Sequence, residues 1–193
     1  MKKINEYLSF LPASDEPLSA DVYFVNGKEY NYIVDVGSCA EALNLVSETD
    51  RKRVILTHFH EDHTWNIRNL ELDDKDLYVG NYTAKTINRG TVVREKVTFT
   101  DGPLIEVIPM PSSHAKGCLS VLINREILLM GDSYYNCQKG YNVSLLYDQI
   151  RLLKELEFET AIMSHDERHH SKRKIIRLLE SYYACRKQGE DYV

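Results

Sequence analysis

The densest chemistry in the chain lies in one heptapeptide, Thr57-His58-Phe59-His60-Glu61-Asp62-His63. Its imidazoles and carboxylates are nitrogen and oxygen donors of the kind that hold borderline divalent metals. On an extended segment, side chains two apart point the same way, so His58 and His60 reach toward one ion. Asp62 and His63 follow where the chain is expected to turn into a helix, which directs a carboxylate and an imidazole to a second ion. A lone histidine is ordinarily a core or surface residue, and an isolated H-x-H arises by chance. The full H-x-H-x-D-H hexad at a strand end is far more specific.

Three later residues extend the set. His114 offers a third nitrogen to the first ion, and three imidazoles with an open fourth position is the pattern of a catalytic zinc site. His165 completes the second set. Asp132 follows the apolar run Ile127–Met130 and a turn-permitting Gly131, which places it to bridge both ions. The implied cofactor is a pair of divalent metals, zinc first, with iron or manganese also accepting such donors. Two dications bring about four positive charges; two aspartates and a bridging hydroxide leave roughly one by formal counting. Metals lower the pKa of bound water toward about 7. The expected reaction is therefore hydroxide attack on an acyl or phosphoryl centre, without a Ser or Cys nucleophile.

Each of these residues needs a strand to position it. The patterns predict a weak strand over Ile4–Leu11, then a hairpin of Val22–Asn26 and Tyr30–Asp35 about Gly27-Lys28. Ala40–Glu48 reads as a helix facing a core with Leu43, Val46 and Ser47. Val54–Leu56 is a buried strand running straight into the hexad, with a helix from Thr64 to about Leu70. A strand at Leu77–Gly80 and a short helix near Tyr82–Asn88 come next. Strands are expected over Val92–Phe99, Leu104–Met110, Leu119–Asn124 and Glu126–Met130. A helix from about Val143 to Glu157 sets Leu145, Leu146, Ile150, Leu153 and Leu156 on one side. A strand at Ala161–Met163 and a helix from about Ser171 to Arg186 close the chain. Strand-rich halves with helices outside point to two packed sheets covered by helices. The His- and Asp-bearing segments each follow a strand, so they gather at one edge of that scaffold.

The chain's 193 residues predict one domain over residues 1–193. A 43% hydrophobic and 27% charged composition is that of a globular protein. The net charge of −5 disfavours a polyphosphate backbone, so no nucleic acid partner is expected. Four scattered cysteines without a C-x-x-C pair read as reduced thiols. The N-terminal segment lacks a sustained apolar run, and no stretch approaches the roughly 20 residues that span a bilayer. A cytoplasmic protein with a small-molecule substrate and no membrane partner is expected; the oligomeric state leaves no trace in the sequence.

Taken together, Thr57–His63 resembles the signature motif of the metallo-β-lactamase superfamily, and the likeness runs nearly the length of the chain. Asp35-Val36-Gly37 is similar to the family's early Asp-x-Gly turn, and Pro111–Gly117 to its second histidine segment. Met130-Gly131-Asp132 and Ser164-His165-Asp166 resemble its later ligand segments. The resemblance implies an α/β fold, the αββα sandwich. It implies His58, His60 and His114 on the first metal, Asp62, His63 and His165 on the second, and Asp132 between them. It also implies a catalytic part for Asp62, which orients the hydroxide. It leaves the substrate-binding residues open.

Departures narrow the reading. Asp132 stands where one lactamase group has Cys, and family lactamases are usually exported. The ligand set is like that of glyoxalase II, but the chain after His165 suffices for about one helix, not a glutathione-binding domain. There is no room for the inserted domain of the nucleic-acid-processing members. Flavodiiron proteins have Glu where His60 stands. The expectation is a compact hydrolase of a small ester, thioester, lactone or phosphoester. The alternatives are a mononuclear iron oxygenase of the persulfide dioxygenase type and a non-catalytic metal-binding module. Lesser candidates are Lys116 toward an anionic substrate, Tyr134 or Tyr135 (after Ser133) as an oxyanion donor, and Asn136 and Cys137 as loop lining. Arg168, His169, His170 and Lys172 read as a polar lead into the last helix, with a substrate rim as the alternative, and Trp65 as a cover for the metal loop or a packing residue. Asp35 reads as the residue that orders the loop holding the hexad.

Overall fold

Short apolar runs separated by polar turns fold into two stacked sheets in the computed structural model, which describes residues 1–135, 139–166 and 168–193. The strands of the first half are β1 (Lys2–Lys3), β2 (Leu8–Leu11), β3 (Ser14–Asp15), β4 (Leu18–Ser19), β5 (Val22–Asn26) and β6 (Asn31–Val34). Helix α1 (Ala40–Glu48) leads to β7 (Lys52–Leu56), the single turn α2 (Glu61–Thr64) and a 3-10 helix over Trp65–Asn69. β8 (Leu77–Val79), α3 (Asn81–Ile87) and β9 (Thr91–Val92) complete that half. The second contains β10 (Val97–Thr100), β11 (Leu104–Met110), β12 (Cys118–Ile123), β13 (Ile127–Leu129), α4 (Val143–Glu155), β14 (Thr160–Ile162), β15 (His170–Ser171) and α5 (Lys172–Ala184).

The first sheet has the order β1-β2-β5-β6-β7-β8-β9 and the second β10-β11-β12-β13-β14-β15, with β3 and β4 forming a separate hairpin. Alternation along each strand sorts the side chains between faces. Tyr32, Val34 and Ile55 of the first sheet meet Val107, Leu119, Val121 and Leu129 of the second in the central core. Their neighbours Ile33, Val54 and Leu56 point outward, against Ala42 and Val46 of α1 and Ile67. On the far side, Leu122, Leu128 and Ala161 pack on Leu146 and Leu153 of α4 and Ile175 and Leu179 of α5. Helix, sheet, sheet, helix is the αββα sandwich, each buried Leu, Ile or Val contributing about 1.5–3 kcal/mol. Side-chain oxygens cap the two long helices: Asn142 accepts from the Leu145 amide and Ser171 from the Lys174 amide.

Several expected elements are redrawn. Ile4–Leu11 is not one strand, because the Asn5 side chain accepts the Tyr7 and Leu8 amides and turns β1 back on β2. Val92–Phe99 divides into β9, an edge of the first sheet, and β10, an edge of the second. The charged run Arg94-Glu95-Lys96 crosses between them. The helix expected from Thr64 starts at Glu61, three residues earlier, and continues as 3-10 turns. Ser47 and Leu145 face solvent, whereas Ala42 and Gln149 are buried. Among the described residues no helix is long and apolar enough to cross a membrane.

Candidate metal centre

Parallel pairing places the candidate ligands. β6 and β7 run parallel, so Asp35 and Thr57, which follow them, emerge side by side. β13 and β14 are also parallel, so Asp132 and His165 leave their ends together. Beside these ends the two sheets are joined where the Leu119 amide of β12 donates to the Thr57 carbonyl at 2.7 Å. Gly131 makes that junction possible. It sits at φ +53°, and a Cβ there would fall 2.7 Å from Thr57 Oγ1.

All seven sequence-derived residues converge in two groups: His58, His60 and His114, and Asp62, His63, Asp132 and His165. In the first, His58 Nε2 lies 3.0 Å from His60 Nδ1, and His114 Nε2 lies 3.2 and 3.0 Å from those two atoms. A tetrahedral centre with metal–nitrogen bonds of 2.0–2.1 Å separates its nitrogens by about 3.3 Å. The triad is thus close to the size of one metal's ligand shell. Burial pushes His58 down to about 2, helped by neighbouring His63, while Asp132 opposes. His114 is lowered too, mainly by burial and against the pull of Asp132. Both rings therefore offer lone pairs.

In the second group His165 Nε2 lies 3.0 Å from Asp62 Oδ2, and His63 Nε2 lies 3.4 Å from the same oxygen. Asp132 Oδ2 stands between the groups, 3.3 Å from His63 Nε2, 3.5 Å from His114 Nε2 and 4.0 Å from His58 Nε2. Burial disfavours charge on both His63 and Asp132. Asp35 and Asp132 outweigh it and raise His63 to about 10, while His63, His58 and His165 hold Asp132 well below the usual carboxylate range. His63 Nε2 and Asp132 Oδ1 are buried yet make no hydrogen bond. Two orphaned donor atoms aimed into a cluster of five imidazoles and two carboxylates fit metal ions, which would satisfy both.

Asp35 orders this loop as the sequence suggested. Its carboxylate accepts the Thr57 amide, the Thr57 hydroxyl and His63 Nδ1, each at 2.7 Å. His63 is thereby fixed with Nε2 toward the cluster. Asp21 is the residue that sequence reasoning missed. It accepts the His165 amide at 2.8 Å and the Ala13 amide at 3.0 Å, and its own amide donates to Ser164 Oγ. This holds His165 at a left-handed φ of +59°. No local signal marks Asp21, since its partner lies 144 positions away.

Other expectations are revised. His170 does not lead into α5 as a polar surface residue; it is buried in β15 with Nε2 3.0 Å from Asp166. Arg168 folds back onto the same Asp166 at 2.8 and 3.0 Å, and His169 and Lys172 lie outside the metal cluster. Trp65 starts the 3-10 helix, largely exposed, and packs on that helix, with the Arg68 guanidinium 3.7 Å from its ring centre. Tyr134 and Tyr135 line a cleft of about 310 Å³ with His114, Asp132 and Arg168. Lys116 lines a second, of about 480 Å³, that also reaches His114. Asn136 and Cys137 lie outside the described residues.

A family model described as the Metallo-beta-lactamase superfamily matches residues 15–73, the segment with the first four candidate ligands. Among solved structures, a metallo-beta-lactamase from Pontibacter korlensis is similar at 17% identity and a TM-score of 0.68, over 96% of this chain and 98% of that one. The chemotaxis sensor ODP, in a peroxy diiron state, is similar at 11% identity and a TM-score of 0.69, over 95% and 94%. A flavo di-iron protein mutant from Thermotoga maritima is similar at 14% identity and a TM-score of 0.62, over 85% of this chain and 52% of that longer one. The chain thus has the fold of these metallo-beta-lactamase structures, and its segment 15–73 matches the superfamily's model.

Proposed function

We propose that the protein is a hydrolase that holds two metal ions, zinc in preference to iron or manganese, and cleaves a small ester, thioester, lactone or phosphoester. The observation that carries this reading is the meeting of two donor groups, three imidazoles in one and two carboxylates with two imidazoles in the other, around Asp132. His58, His60 and His114 would hold one ion, Asp62, His63 and His165 the other, with Asp132 shared. When bound, such metals supply Lewis acidity and lower the pKa of water toward about 7.

The chain's own groups divide the remaining work. Asp62, half-buried with Oδ2 beside His165 and His63, is placed to orient a water and hold its proton on the other carboxylate oxygen, Oδ1. Asp35 keeps His63 in one tautomer, and Asp21 keeps His165 over Asp62. Hydrolysis then needs only water: its oxygen bonds to the acyl or phosphoryl centre, the bond to the leaving group breaks, and one proton passes to that group. The nitrogen-only first triad, with His60 rather than a carboxylate, favours zinc over the di-iron chemistry named for two of the similar structures.

The test is elemental analysis of purified wild type and Asp132→Ala, followed by a panel of esters, thioesters, lactones and phosphodiesters. About two zincs per chain, reduced in the variant, with turnover lost, is the expected result. A folded, fully metallated and active Asp132→Ala protein refutes the reading. One iron per chain with oxygen uptake replaces it with a mononuclear oxygenase; bound metal with no turnover across the panel points to a non-catalytic module.

A further inference from the structure

The two clefts that meet at His114 differ in the charge they present. We infer that the larger one receives an anionic tail of the substrate, a carboxylate or phosphate carried on an apolar spacer; this rests on the hydrolase reading above.

Phe59, between two candidate ligands, lines this cleft with Tyr82, Lys116, Leu145 and Tyr192. Three of these are large apolar or aromatic side chains left substantially in solvent: Tyr82 at 37%, Leu145 at 37% and Tyr192 at 59%. Such a cluster beside a polar centre is the make-up of a small-molecule site. The polar element is cationic. The Lys116 and Lys85 ammonium groups lie 5.5 and 5.2 Å from the centre of the Tyr82 ring. Among the described residues neither lysine has an ion-pair partner, whereas Lys75, Lys96, Lys154 and Lys187 each do. In the smaller cleft, Arg168 is already closed on Asp166 through two of its nitrogens. Unpaired positive charge therefore flanks the candidate ligands on the Lys116 side.

The arrangement is built into the backbone. A Cβ on Gly80 would fall 1.8 Å from the Gly117 carbonyl oxygen, and one on Gly117, at φ +74°, would fall 2.5 Å from Asn81 Oδ1. Two glycines thus let the first turn of α3 press against the loop after His114. That contact sets Tyr82 beside Lys116. With the scissile group near His114, an apolar spacer lies on Phe59 and Leu145, and the terminal anion takes a charge-assisted hydrogen bond from Lys116.

The kinetic test compares zinc-loaded wild type, Lys116→Gln and Lys116→Arg on p-nitrophenyl butyrate and on the p-nitrophenyl monoester of glutarate. The ratio of kcat/KM for the carboxylate-tailed over the neutral ester should fall roughly two- to fivefold in Lys116→Gln, through KM, and recover in Lys116→Arg. An unchanged ratio overturns the assignment. Calorimetric titration of the same proteins with 4-phenylbutyrate, phenethyl phosphate and neutral 4-phenylbutanol separates this from the hydrolase reading. Weaker anion binding in Lys116→Gln without turnover of either ester upholds the cleft and counts against the hydrolase. Equal anion affinity in both proteins overturns the cleft, whatever the esterase activity. The anion that loses more affinity in Lys116→Gln identifies the tail.

Discussion

Replacing Asp35 by Asn changes one atom type at the best-connected polar residue behind the metal cluster. The carboxylate is 1% exposed and accepts three hydrogen bonds of 2.7 Å, from the Thr57 amide, the Thr57 hydroxyl and His63 Nδ1. An amide of the same shape keeps its oxygen on the Thr57 amide but turns an NH2 toward the other two partners. The Thr57 hydroxyl rotates to accept. His63 accepts only by moving its proton from Nδ1 to Nε2, the atom that points at Asp132 and Asp62. A proton then stands on the nitrogen that would hold the second proposed ion. Losing such a partner behind a ligating histidine typically weakens metal affinity 10–100-fold, about 1.4–2.7 kcal/mol. Among the described residues His58, His60 and His114 form no hydrogen bond to Asp35, and only His58 is linked to it, through the Thr57 hydroxyl 3.1 Å from its Nδ1, so the first ion should be the less affected. Competitive zinc titration against a chromophoric chelator should give two tight sites in wild type and one tight plus one weakened site in Asp35→Asn. Two sites of wild-type affinity in a folded variant would refute the argument that Asp35 sets the His63 tautomer.

Four further outcomes follow from the same geometry. Gly131→Ala forces a Cβ against Thr57 Oγ1 at a left-handed φ, which should cost about 1–3 kcal/mol; a thermal melt unchanged from wild type would contradict it. Leu146→Ala empties a fully buried position between α4 and the second sheet, and should lower urea-unfolding stability by about 2–5 kcal/mol. Burial pushes the Cys118 thiol up to about 11, whereas Cys185 is exposed. At pH 8 only about a thousandth of Cys118 is thiolate, so mass-mapped alkylation of the native protein should label Cys185 and spare Cys118. Chelation should lower Tm by roughly 5–10 °C if metal is present near a hundred times its Kd, since binding then contributes about 2.7 kcal/mol; an unchanged Tm after metal removal, checked by elemental analysis, would speak against ions at this cluster.

The candidate site was legible because its residues are chemically unusual where they stand. His58, His60, Asp62 and His63 crowd a strand end that a core strand would leave apolar, and Asp132 and His165 follow apolar runs. Leu104–Met110 emerged with its observed bounds because it is long and apolar. The weaker patterns failed for identifiable reasons. Val92–Phe99 is apolar enough for a strand, but nothing local indicates that the chain changes sheets at Arg94–Lys96. Leu145 fits the helical spacing of a core residue, yet the surface it faces is the cleft beside His114. Asp21, Gly80 and Gly117 act only through partners distant in sequence. A composition of ordinary residues conceals such roles until the fold supplies the contact.

The position of the cluster explains why so many supports are needed. Its two donor groups are drawn from both sheets: Thr57 and the hexad from the first, Asp132 and His165 from the second, with His114 on the loop between β11 and β12. Gathering five imidazoles and two carboxylates into two groups, each with its donor atoms within 4.8 Å of one another, is unfavourable unless ions or protons lie between them. The carboxylates of Asp35 and Asp132 flank His63, 2.7 Å from Nδ1 and 3.3 Å from Nε2, and an ion or a proton at Nε2 answers their charge. The supports that remain in either state are the Asp35–Thr57 bonds in the first sheet, the Asp21–His165 bond across the halves, and the glycine contact of Gly131 with Thr57. Asp35, Thr57, Asp21 and Gly131 are not candidate ligands, yet each fixes backbone that carries one. The backbone that carries the candidate ligands is therefore held by the junction of the two sheets, and a site supported in this way binds with little reorganisation.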